Sequence, residues 1–93
     1  MEIETPKMVW LIKIEQSEMN TFSSSVQPFS TEQVGMAHFK EYVRVERQSI
    51  EATPNERYRI IESEHCFEAW IVGTSGITYR RITIEPSPVI GDN

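Results

Sequence analysis

The chain has 93 residues and a formal net charge of −5, with 39% hydrophobic and 25% charged side chains. That is one domain's worth of chain with an ordinary globular composition, which excludes a wholly disordered polypeptide. The acidic balance excludes an overall basic footprint for nucleic acid or anionic membrane, and the single cysteine, Cys66, excludes an internal disulfide.

Residues 1–7 read as a flexible tail. They carry acids, Glu2 and Glu4, where a secretory leader carries bases. The apolar stretch Met8 to Ile12 is too short for a leader core or a membrane span. A lone cysteine fits a reducing compartment. The expected location is therefore cytoplasmic, host cytoplasm included for a virus-encoded chain, with no membrane contact.

Met8 to Glu15 reads as a strand, with Met8, Trp10, Ile12 and Ile14 on one face. Residues 16–28 are polar and serine-rich and read as a long loop, with a short edge strand over Thr21 to Val26 as the alternative. A helix is expected from Thr31. Ser30 is placed as its N-cap, with Gln33 closing a capping box and Phe29 and Val34 forming a hydrophobic staple. On the helical wheel Val34, His38, Phe39, Tyr42, Val43, Val45 and Ile50 share a broad apolar arc. Gly35 weakens this helix by about 1 kcal/mol relative to alanine, a cost tolerable near the start. Thr53-Pro54-Asn55 ends it. A strand over Phe39 to Val45 is the less favoured reading, since it would put Glu41 on the apolar face.

Arg57 to Glu62, Cys66 to Val72 and Ile77 to Glu85 follow as strands, with Ser63-Glu64 as a turn. Gly73-Thr74-Ser75-Gly76 joins the last two as a hairpin, Pro86 and Pro88 stop the sheet, and 86–93 reads as a second tail. The expected fold is one α+β domain: a single antiparallel sheet of about four strands, one amphipathic helix on one face, order β-α-β-β-β.

The hairpin carries the most information. If Gly73 opposes Gly76, Val72 faces Ile77, Trp70 faces Tyr79 and Glu68 faces Arg81, all on one side. The other side then receives Phe67, Ala69, Ile71, Ile82 and Ile84. A slip of one residue would destroy both sets. Both faces are apolar, and one helix covers one of them. The Phe67 face is the better helix partner. The Trp70, Val72, Ile77, Tyr79, Arg81 and Glu68 face is then the candidate partner-binding surface, since aromatic residues in exposed apolar patches anchor protein contacts. The competing reading wraps a twisted sheet so that Trp70 joins the core.

No residue set qualifies as catalytic, and no cofactor or metal is expected. His65 and Cys66 are adjacent, so on a strand they point to opposite faces. Cys66 could meet His38, but nothing orients the pair, and an inert thiol is the commoner case. Glu62 and Glu64 read as solvated carboxylates. Glu46 lies inside the apolar arc; it either reaches water at a frayed helix end, the favoured reading, or pairs with Arg57, Arg59 or Arg80. The glycines of the hairpin open no helix and make no phosphate cradle.

These readings point to a small acidic, non-enzymatic protein-binding module: an adaptor, regulatory subunit or inhibitor, with a homodimer as one form of partner. The alternative is a small enzyme or small-ligand binder with a pocket between helix and sheet using His38, Tyr42 and Glu46. A nucleic-acid contact through Arg44, Arg47, Arg57 and Arg59, in the Arg-rich 40–59 region, is weaker because glutamates interleave with the arginines.

Overall fold

A computed structural model describes residues 7–53, 57–73 and 76–89. The elements in chain order are β1 (Lys7–Glu18), β2 (Thr21–Phe29), α1 (Glu32–Glu51), β3 (Arg57–Ser63), β4 (Cys66–Gly73) and β5 (Gly76–Val89). The fold is α+β. Five strands form one sheet in the order β2-β1-β5-β4-β3, every neighbouring pair antiparallel, with α1 on one face.

Five strands replace the expected four because residues 16–28 are not a loop. They finish β1 and form β2, joined by a two-residue turn at Met19-Asn20 with Met19 at φ 52°. Thr21 Oγ1 donates to the Glu18 carbonyl oxygen across that turn at 2.7 Å. β2 is exposed from Thr21 to Pro28, so backbone pairing with β1 holds it in place rather than side-chain burial. That is why hydrophobic periodicity did not announce it.

The expected stop at Pro86 is also corrected. β5 runs on to Val89, with Pro86 opposite Trp10 and Pro88 opposite Met8. Ile84 donates its N–H to the His65 carbonyl at 3.0 Å, towards β4. By alternation, Pro86 and Pro88 also aim their nitrogens to that side, past the end of β4, where no ladder bond is lost. Lys7 belongs to β1 rather than to a tail. Residues 1–6, 54–56, 74–75 and 90–93 lie outside the described residues, and with them the rest of both expected tails, the Pro54 turn and the Thr74-Ser75 loop.

The helix begins one residue later than the Ser30 cap implies. Thr31 is the N-cap, its Oγ1 accepting from the Val34 N–H at 3.2 Å, so the Ser30/Gln33 box is not the one used. Phe29 stacks on His38 instead of stapling Val34, with ring centroids 4.6 Å apart. Phe39, Val43 and Ile50 recur at helical spacing and point into the sheet. They meet Ile12 from β1, Phe67, Ala69 and Ile71 from β4, and Ile82 and Ile84 from β5. Gly35 is buried where α1 crosses β1 and β5. A Cβ there would lie 3.1 Å from Ile84 Cδ1 and 3.2 Å from Trp10 Cβ. The glycine is therefore a close-approach residue, not merely a tolerated one.

Candidate functional site

The β4–β5 ladder pairs Val72 with Ile77, Trp70 with Tyr79, Glu68 with Arg81 and Gly73 with Gly76. Alternation places Cys66, Glu68, Trp70 and Val72 of β4 on the side away from the helix, while Phe67, Ala69 and Ile71 enter the core. The same parity runs through the neighbouring strands. Tyr79 has Ser17 of β1 on its other side, and Trp70 has Arg59 of β3. Arg81 lies between Glu15 and Glu68, and Glu68 has Ile61 beyond it. Among the described residues no element covers this face.

At its centre the Trp70 and Tyr79 rings meet at 5.1 Å, tilted by 42°. Both are half-buried and neither joins the core cluster. The reading that wraps Trp70 into the core is thus not the one adopted. Val72 and Ile77 beside them are exposed, Ile77 by 58%. The Tyr79 hydroxyl donates to Glu68 Oε2 at 2.7 Å. Burial pushes the Tyr79 phenol up to about 12, and the Glu68 carboxylate adds in the same direction. Cys66 Sγ donates weakly to Glu68 Oε1 at 3.7 Å. Glu68 is therefore engaged with Tyr79 and Cys66, and the expected Glu68–Arg81 ion pair is not among those formed by the described residues. The Arg81 guanidinium is held above its ordinary range, first by the Cys66 sulfur and then by Tyr79 and Glu68.

The face carries a small basic excess. It holds Lys7, Lys13, Arg57, Arg59 and Arg81 against Glu15, Glu68 and Glu85, on a chain of net charge −5. Lys13 and Glu85 pair at 2.5 Å. The surplus acid lies on other surfaces.

The rival sites fare differently. Glu46 is not left to water: it pairs with Arg80, and both side chains are mostly buried. His38 lies over Phe29, and the Tyr42 hydroxyl donates to Gln27 Oε1 at 2.8 Å. The three residues line up along α1 and do not line the cleft between the helix and the β3 end of the sheet, which is formed by Phe39, Val43, Arg47 and Glu62. A second cleft, of roughly 290 Å³, lies at the helix C-terminus, between Ser49, Thr53, Ile71 and Arg80. Cys66 and His38 sit on opposite sides of the sheet and do not meet. Glu62 pairs with Arg47, whose guanidinium also lies 5.7 Å from the centre of the Phe67 ring. Arg44 is bound by Glu41 at 2.5 Å. The proposed basic strip is therefore divided, with Arg44 and Arg47 on the helix side and Arg57 and Arg59 on the open face.

Sequence reasoning missed Arg59 and Ile61 as neighbours of Trp70 and Glu68, and Phe22 and Val26 at the far edge. Their parity is plain only once β3 and β2 have partners. Among the described residues no group of three metal-ligating side chains occurs, and no helix is long and apolar enough to cross a membrane. No known protein family, curated protein or solved structure matches the chain.

Proposed function

We propose that the chain is a small protein-binding module, an adaptor, regulatory subunit or inhibitor, that takes its partner on the open sheet face around Trp70 and Tyr79. The supporting observation is the division of labour across the sheet. The only described helix is committed to the Phe67 face, and the opposite face keeps an aromatic pair flanked by exposed Val72 and Ile77. Aromatic pairs ringed by aliphatic and arginine side chains are the usual anchors of protein contacts. A small basic excess on an acidic chain lets the face approach acidic partners that the rest of the surface would repel.

The test compares the wild-type chain with a Trp70→Ala/Tyr79→Ala variant as bait in extract of the source cell. Far-UV circular dichroism and thermal melting check that the variant is folded. A partner held by the wild type and lost at least tenfold by the folded variant is the expected result. Equal capture by both baits would remove the face from the function.

A further inference from the structure

Independently of the open-face reading, we propose that the outer edge of β2 is a self-association surface, on which a second copy of this chain adds its own β2 antiparallel to make a continuous two-fold sheet. The two edges of the sheet differ. β3 carries Arg57, Arg59 and Glu62, and charged side chains are a common protection of an edge strand. β2 reads Thr-Phe-Ser-Ser-Ser-Val-Gln-Pro-Phe, nine residues without a charge in a chain of net charge −5. No described element lies beyond it. Two copies brought together here face no like charge along the strand.

The backbone geometry selects one register. Ile84 bonds towards β4, so even residues of β5 face β4 and odd residues face β1. Odd residues of β1, paired with those, bond towards β5, and even ones towards β2. Trp10 opposes Phe29 and Ile12 opposes Gln27, so odd residues of β2 are spent on β1. Phe22, Ser24, Val26 and Pro28 then aim their backbone groups outward. Pro28 has no N–H to offer. A two-fold axis at Ser24 pairs Phe22 with Val26 of the partner subunit, Ser24 with Ser24 of the partner subunit, and Val26 with Phe22 of the partner subunit. This register uses every outward N–H between the turn and Pro28 and spends none on the proline. It also closes Phe22, 66% exposed, against Val26, 55% exposed, twice over, and sets small serines against one another between them.

Sedimentation and cysteine crosslinking test this on the full chain. Wild type is expected to sediment at twice the chain mass at high micromolar concentration. Ser24→Pro removes an N–H that β1 does not use, as Pro28 already does at its own position, and is expected to halve that mass while keeping the native circular dichroism. Crosslinking decides the matter even if that variant fails to fold. In a Cys66→Ser background, Ser24→Cys places two sulfurs on the axis, at a Cα separation of about 5.5 Å that a disulfide spans. Ser23→Cys places its pair about 8 Å apart, two residues out of register, beyond such a bridge. Oxidised dimer at position 24 and not at 23 is the expected result. A monomeric wild type, a dimer indifferent to a folded Ser24→Pro, or equal crosslinking at both positions would overturn the proposal. Trp70→Ala/Tyr79→Ala is expected to leave this dimer intact, so its failure and that of the open-face reading are separable.

Discussion

The two faces of the β4–β5 hairpin are built from similar material and end in opposite environments. Phe67 and Ala69 are fully buried, while their chain neighbours Glu68 and Trp70 face away from the helix. Val72 and Ile77 are as apolar as Ile71 and Ile82, yet remain exposed. Strand composition alone does not decide which side becomes core. Coverage decides it, and coverage depends on where α1 can come close. Gly35 and the Phe39, Val43, Ile50 stripe fit one side. The other side offers Trp70, Tyr79, Arg59 and Arg81, and among the described residues no element covers it.

The largest expected effect breaks that comparison directly. Phe67→Ala should lower the unfolding free energy by about 3–5 kcal/mol, since it empties a closed site that cannot refill with water. Trp70→Ala removes more atoms but from a half-open site, and should cost less, since part of the ring already meets solvent in the folded chain. Urea denaturation of the two variants measures the difference. Equal losses would mean that the open face is covered in solution, by this chain or by a second copy, and that the two sides are not unlike after all.

Much of this was legible beforehand, for reasons tied to particular residues. The hairpin register followed from requiring both faces to make sense at once, and Val72, Trp70 and Glu68 do oppose Ile77, Tyr79 and Arg81. The helix followed from its periodic stripe, although its cap is Thr31, because both Ser30 and Thr31 offer a hydroxyl and only backbone geometry chooses between them. β2 stood only as the alternative edge strand over Thr21 to Val26, because a strand exposed from Thr21 to Pro28 leaves no periodic trace. Pro86 and Pro88 misled because a proline forbids only one side of a strand, and which side is free depends on where β4 ends. The Glu46–Arg80 pair was visible as a candidate but lost to the simpler solvated reading, since nothing local places residue 80 beneath residue 46.

A smaller effect sharpens the account of the closed side. Alanine at position 35 gains about 1 kcal/mol of helix propensity over glycine. Against that, its Cβ meets Ile84 Cδ1 at 3.1 Å and Trp10 Cβ at 3.2 Å. The isoleucine tip can swing aside, but the tryptophan Cβ is fixed to the β1 backbone. Overpacking of this kind costs about 1–3 kcal/mol. The sum is a loss of up to about 2 kcal/mol, so Gly35→Ala should lower the urea midpoint despite the better helix former. A raised midpoint would show that β1 yields under α1 and that the fit at this crossing is loose.

The smallest effect probes the open side through Tyr79. Its phenol, at 10.0 in an ordinary setting, is pushed up to about 12, by burial first and by the Glu68 hydrogen bond second. The folded chain thus holds this proton more tightly than the unfolded chain does. The stability it contributes is whole below about pH 10 and is lost as pH rises through about 12. Ultraviolet titration near 295 nm in a Tyr42→Phe/Tyr58→Phe background isolates the group. Because burial outweighs the carboxylate, and the Trp70 ring lies 5.1 Å away, Trp70→Ala should lower the midpoint more than Glu68→Gln does. The reverse order would mean that the carboxylate, rather than the aromatic contact, sets the environment of this face. A wild-type midpoint near 10 would mean that the phenol is fully wet and that Trp70 does not shelter it. Either result would weaken the case for an aromatic anchor already half-desolvated before a partner arrives.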